Sequence, residues 1–147
     1  MYKHILIPTD GSEVADKAVA AGLEFAREAG ARVTLFTVVP EYEPPGEAEF
    51  LARRAVSLAD HDRDSERKAS AILAGAAERA RAAALEFGTD YAQCNRPWEA
   101  IIDAARTHRC DAIFMGSHGR TGIAAAWHGS ETHEVLTHST IPTMVYR

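Results

Sequence analysis

Cysteine is nearly absent from this 147-residue chain, which has only Cys94 and Cys110. They form no C-x-x-C pair, so no redox motif supports a thiol chemistry. Each stands beside a strand-like run and reads as a buried or partly buried free thiol. Long hydrophobic runs are also missing. None reaches the roughly eighteen apolar residues that cross a membrane. The apolar part of the N-terminus is too short for a signal peptide, so a cytoplasmic location is expected. Positive charge is in deficit: 16 Lys and Arg against 21 Asp and Glu leave a net charge of −5. That argues against nucleic acid or an anionic membrane as partner. Lysine is scarcest, with Lys3, Lys17 and Lys68 only. The remaining composition, 46% hydrophobic and 25% charged, is ordinary for a globular protein. The length suits one domain over residues 1–147.

What is present alternates. Lys3 to Thr9 is the first strand, with Ile5, Leu6 and Ile7 in one block, as in a strand covered on both faces. Thr9-Asp10-Gly11-Ser12 is a turn, with Ser12 placed to cap a helix running to about Ala29. Val14, Ala18, Ala21 and Phe25 step along one face of that helix, and Gly30 closes it. Arg32 to Val39 is the second strand, stopped by Pro40. Glu41 to Phe50, with Pro44, Pro45, Gly46 and four glutamates, reads as a solvated loop without a regular element. A long helix follows, from about Ala52 or Ser57 to Phe87, with Gly88 closing it. Its polar stretch Asp60 to Asp64 is an exposed turn of helix or a break. Thr89 to Cys94 is a weak third strand. Pro97 starts a third helix, whose buried face holds Trp98, Ile101, Ile102 and Ala105. Asp111 to Met115 is the fourth strand, Ser130 to about His138 the fourth helix with Val135 and Leu136 on its apolar side, and Pro142 to Arg147 the fifth strand. Strands alternating with helices predict an α/β fold, a parallel sheet wound on both sides.

One stretch carries chemistry. Met115 leads into Gly116, Gly119 and Gly122, and then Gly129 and Ser130 open a helix. Glycines admit close backbone approach and positive φ. Free amides at a helix start, with the helix dipole, suit an anion. A Walker A loop needs G-x-x-x-x-G-K-[ST], and no lysine lies nearby. The dinucleotide fingerprint belongs after a first strand, not near the C-terminus. Glycines after a strand also serve as turn punctuation, and Ser130 is a good N-cap with or without a ligand. Asp10 before Gly11-Ser12 fits an Asx turn as well as a ligand contact. Met115 fits the core, and Arg120 fits a solvated surface.

The spacing Gly116-x2-Gly119-x9-Gly129-Ser130 resembles the nucleotide-binding motif of the universal stress protein family, and the resemblance spans essentially the whole chain. It implies a Rossmann-like, five-stranded parallel sheet of order 3-2-1-4-5, of the type found in adenine-nucleotide alpha hydrolases. The strand order then reverses between strands one and four, where such sheets bind ligands. It implies ATP or another adenine nucleotide as ligand. Pro8, Thr9 and Asp10 would line the adenosine end, Val39 would flank the adenine, and Met115 would pack on the base. Gly116 and Gly119 would admit ribose and the first phosphate. Gly129, Ser130 and the amide of Glu131 would hold the outer phosphates, with Arg120 screening their charge. Mg²⁺ or Mn²⁺ on the phosphates would take Ser130 or water as ligand. The implied function is an ATP-binding regulatory module of the stress response. A slow ATPase or self-phosphorylating enzyme, with Ser130 or Thr132 as acceptor, is the rival; a ligand-free interaction protein is a third reading. The implied edge position of the last strand predicts a homodimer through Thr143 to Tyr146.

Three positions depart from the family pattern. Glu131 replaces a small apolar residue and would repel phosphate if it pointed inward. Asn95 stands where glycine is common, and asparagine tolerates the left-handed region. Thr143 replaces a usual valine. Four of seven histidines, His118, His128, His133 and His138, crowd the C-terminal third. Their spacings of ten, five and five do not place them on one helix face, which argues against a transition-metal site.

Overall fold

The computed structural model describes residues 1–52, 57–117 and 129–147 of the chain. Five strands form one sheet: β1 (His4–Pro8), β2 (Arg32–Val39), β3 (Phe87–Gln93), β4 (Ala112–Gly116) and β5 (Thr143–Tyr146). Their order is β3-β2-β1-β4-β5, and every pairing is parallel. The expected strand order is therefore observed. Leu6 stands opposite Thr34 on one side and Ile113 on the other. All five residues of β1 are buried, which explains its unbroken apolar run: a central parallel strand has no solvent face.

Helices cover both faces. Ile5, Ile7, Val33, Leu35 and Phe114 pack with Val19 and Leu23 of α1 (Glu13–Ala29) and with Leu73 and Ala76 of α3 (Leu58–Ala82). On the other face Leu6, Phe36, Ile113 and Met115 meet Ile101 and Ala105 of α4 (Pro97–Thr107) and Val135 of α5 (Gly129–His138). Gly22 lets α1 approach closely: a Cβ there would lie 2.9 Å from both Ile7 Cδ1 and Phe114 Cδ1.

Several local expectations are corrected. The segment Glu41 to Phe50 is not wholly irregular, because Glu47–Leu51 forms a short helix, α2. The Gly46 amide donates to Glu49 Oε2 at 3.3 Å, half of a capping box. The long helix stops at Ala82, not at Phe87, and Phe87 and Gly88 begin β3. Ala84, at φ 54°, makes the turn instead of Gly88. The Leu85 amide then reaches back to the Ala80 carbonyl at 3.1 Å. This is a Schellman ending without glycine. Asp60 to Asp64 is a largely exposed turn of helix, as one of its two readings had it, and not a break; Ser57 starts the helix, its hydroxyl accepting from the Asp60 amide. The buried side of α1 is Ala18, Val19, Gly22, Leu23 and Ala26. Val14 is exposed, and Ala21 and Phe25 are only partly covered. Leu136 is likewise exposed, and Val135 alone of that pair enters the core. Asn95 does not take a left-handed backbone; its Oδ1 accepts from the Glu41 amide at 3.1 Å.

Candidate functional site

The site forms where β1 and β4, neighbours in the sheet, both end. On the β1 side three nested turns follow the strand. The Thr9 amide donates to the Phe36 carbonyl at 2.8 Å, holding the chain beside β2. Thr9 Oγ1 accepts from the Gly11 amide at 3.1 Å. Asp10 Oδ1 accepts from the Ser12 amide at 2.9 Å, an Asx turn. Gly11 sits at φ 77°, which glycine adopts without strain. Ser12 Oγ then accepts from the Ala15 amide at 3.2 Å and starts α1. One side chain after another fixes this lip, so the backbone there is organised before any ligand arrives.

On the β4 side, Gly116 closes the strand against α1. A Cβ at Gly116 would stand 3.0 Å from Ala18 Cβ, so a side chain here would press on that helix. Thr132 Oγ1 donates to the Gly116 carbonyl at 3.0 Å, which ties the first turn of α5 to the end of β4. The Ser117 amide donates to the Tyr146 carbonyl at 2.8 Å. A narrow cavity of about 20 Å³ marks the floor of the crevice, room for a single water. Asp10, Ser12, Val14, Ala15, Met115, Gly116 and Thr132 line it. Two helices, α1 and α5, begin beside this floor, and their N-terminal dipoles favour an anion.

The structure thus brings together Asp10, Met115 and Gly116. Met115 is also a core residue, buried on the α4 side of the sheet. Pro8 is buried in β1 opposite Phe36, and Thr9 is buried at the strand's end. Val39 ends β2, buried, and its carbonyl already accepts from the Cys94 amide at 2.9 Å. Gly129, Ser130 and Glu131 form the first turn of α5, with the Ser130 side chain exposed. Gly119 and Arg120, with His118, Gly122 and His128, lie outside the described residues.

Glu131 does not point its charge at the crevice floor. Its Oε2 accepts from the Trp98 amide at 2.8 Å, at the start of α4. The repulsion foreseen for an inward carboxylate does not arise from this rotamer. His138 stacks on Trp98, with ring centroids 4.5 Å apart and planes 26° apart. Among the described residues no group of three or more His, Cys, Asp and Glu could hold a metal ion. Ser12 and Thr132 are wall residues that the glycine spacing alone did not mark. Thr132 had a signal: three residues after Gly129 on a helix, it faces the same way.

The model of the universal stress protein family matches residues 1–147. A universal stress protein of Thermus aquaticus, from the QAH/OAS sulfhydrylase 3′ region, is 31% identical over 152 residues, covering 100% of both chains. Universal stress protein MJ0577 of Methanocaldococcus jannaschii is 28% identical, covering 100% of this chain and 96% of that one. Its solved structure superposes with a TM-score of 0.72, covering 99% of this chain and 95% of that one, at 25% identity. A universal stress protein in complex with cAMP superposes with a TM-score of 0.73 at 23% identity, covering 99% and 97%. The Archaeoglobus fulgidus protein in complex with dAMP gives 0.69 at 20%, covering 99% and 98%. A matching fold, a matching strand order and a family match along the full length lead to one conclusion: this chain belongs to the universal stress protein family.

Proposed function

We propose that this chain binds an adenine nucleotide, ATP with Mg²⁺ or Mn²⁺, in the crevice between β1 and β4, and acts as a regulatory binding protein. The observation that carries this is the convergence of the Asp10 turn, Gly116 and the first turn of α5 on one cavity. In this reading Pro8, Thr9 and Asp10 hold the adenosine, Val39 flanks the adenine, and Met115 packs on the base. Gly116 and Gly119 admit the ribose and first phosphate. The amides of Gly129, Ser130 and Glu131 meet the outer phosphates, where the α5 dipole favours negative charge. Arg120 adds a cation, and the Ser130 hydroxyl is a ligand for the phosphate-bound metal. The floor is narrow, so the nucleotide lies over it and not in it. Relatives in complex with cAMP and dAMP support an adenine nucleotide as the ligand class.

The binding reading is preferred to phosphoryl transfer. Thr132, one candidate acceptor, is buried and its hydroxyl is committed to Gly116. Exposed Leu136 and Tyr146 near the β5 edge support a homodimer through that strand. No described helix is long and apolar enough to cross a membrane, and we place the protein in the cytoplasm. Isothermal titration of nucleotide-free protein with Mg-ATP tests the reading. Saturable heat supports it; none at millimolar ligand removes it. The mass of any nucleotide released on denaturation identifies the native ligand.

A further inference from the structure

The start of α4 has no cap of its own. Its N-cap residue, Arg96, makes no side-chain capping bond, and Pro97 at the first helical position has no amide to satisfy. The next amide, Trp98, is satisfied from another helix, by Glu131 Oε2 at 2.8 Å. Glu131 belongs to the first turn of α5, the turn whose amides face the proposed phosphates. Further along the same helix, His138 stacks on the Trp98 ring, and Val135 is fully buried in the core beside Ile101. On the crevice side Thr132 fixes the turn to Gly116.

We propose that Glu131 is a positioning residue for nucleotide binding: by capping α4 through the Trp98 amide, it holds the first turn of α5 at the angle that aims its amides across the crevice. The inference rests on the nucleotide reading above. It assigns the carboxylate a role opposite to the one its charge suggests. A carboxylate near phosphates weakens binding by repulsion, so its removal should tighten binding. A carboxylate that seats the helix strengthens binding, so its removal should weaken it. A charge-assisted bond to a helix N-terminus is among the stronger caps. Glutamine keeps an acceptor oxygen for Trp98 and lacks the charge, so it separates the two roles.

The test compares the wild-type chain, Glu131→Ala and Glu131→Gln by isothermal titration with Mg-ATP at one salt concentration. Positioning predicts affinity about fivefold weaker for Glu131→Ala, the size of one lost cap. It predicts a smaller loss for Glu131→Gln, which keeps the acceptor for Trp98, than for Glu131→Ala. A cap with no link to the ligand would lower the melting temperature of Glu131→Ala and leave its affinity unchanged. Hydrogen exchange at the Trp98 amide is the second readout, needing no ligand. It should speed up in Glu131→Ala and much less in Glu131→Gln, whose neutral oxygen caps more weakly. Affinity in Glu131→Ala equal to or tighter than wild type, or unchanged exchange at Trp98, overturns the inference and leaves the nucleotide reading standing. A wild-type chain that binds no nucleotide removes that reading, and the inference with it.

Discussion

Thr132 Oγ1 donates to the Gly116 carbonyl at 3.0 Å across sixteen residues of sequence. This bond joins the strand end that would meet the sugar to the helix start that would meet the phosphates. Thr132→Val keeps the shape and removes the donor. It should cost about 1–2 kcal/mol, because a half-buried carbonyl loses its partner. We expect a melting temperature about 3–6 °C lower and Mg-ATP affinity reduced severalfold. A stable variant with unchanged affinity would show that the bond is incidental to the site.

Ala84 occupies the left-handed region at φ 54°, and Gly30 does the same at φ 66° at the end of α1. Only glycine takes that conformation without a steric penalty. Ala84→Gly should therefore stabilise the protein by about 0.5–1 kcal/mol, and Gly30→Ala should destabilise it by a similar amount. Urea unfolding of the two variants measures both signs. Destabilisation by Ala84→Gly would mean that helix propensity outweighs the turn.

His4 is buried in β1, and its Nε2 lies 2.8 Å from Thr34 Oγ1. Burial is the main cause that pushes its pKa below the ordinary 6.5, with Arg32 and His108 adding to the effect and Asp111 opposing it. The unfolded chain therefore takes up this proton at a higher pH than the folded one. The contribution to stability is present above the unfolded value of 6.5 and is lost as pH falls below it and through the lower folded value. Urea unfolding should show the wild-type chain less stable near pH 5.5 than near pH 7.5, with a smaller difference in His4→Gln. An equal pH dependence in both proteins would exclude His4 as its source.

The thiols should differ in reactivity. Cys110 is buried, and burial pushes its pKa up to about 11. Cys94 is half-buried just beyond β3, with its Sγ near the Arg96 backbone at 3.3 Å. Only a thiolate reacts with an aromatic disulfide reagent. At mildly alkaline pH the native protein should titrate one fast thiol, Cys94, and the second only on unfolding. Loss of the fast phase in Cys94→Ser checks the assignment.

Sequence spacing and structure agree where one periodicity dominates. The apolar blocks of β1 and β4 are buried on both faces, so pattern and position coincide. Gly30 and Pro97 mark helix ends because their backbone geometry leaves few other uses. The end of α3 was not legible, because alanine in a left-handed turn is sterically unfavourable and gives no signal. Phe87 fits the helical apolar spacing and Gly88 reads as a helix end, but packing gives both to β3. The face of α1 was misplaced by about one residue, since small residues such as Ala18 and Gly22 fit wherever the sheet comes close. At the site, Asp10 and Gly116 were legible by their turn chemistry. The direction of Glu131 was not, because its partner lies thirty-three residues earlier in the chain and only the fold brings Trp98 to it.

The central claim is the location of the nucleotide. A heteronuclear NMR titration of the labelled protein with Mg-ATP tests it residue by residue. Saturating shifts should gather at Asp10 to Ser12, at Met115 and Gly116, and at Ser130 and Glu131. Shifts confined to the opposite ends of the strands, around His4 and His108, or none at millimolar nucleotide, would contradict it.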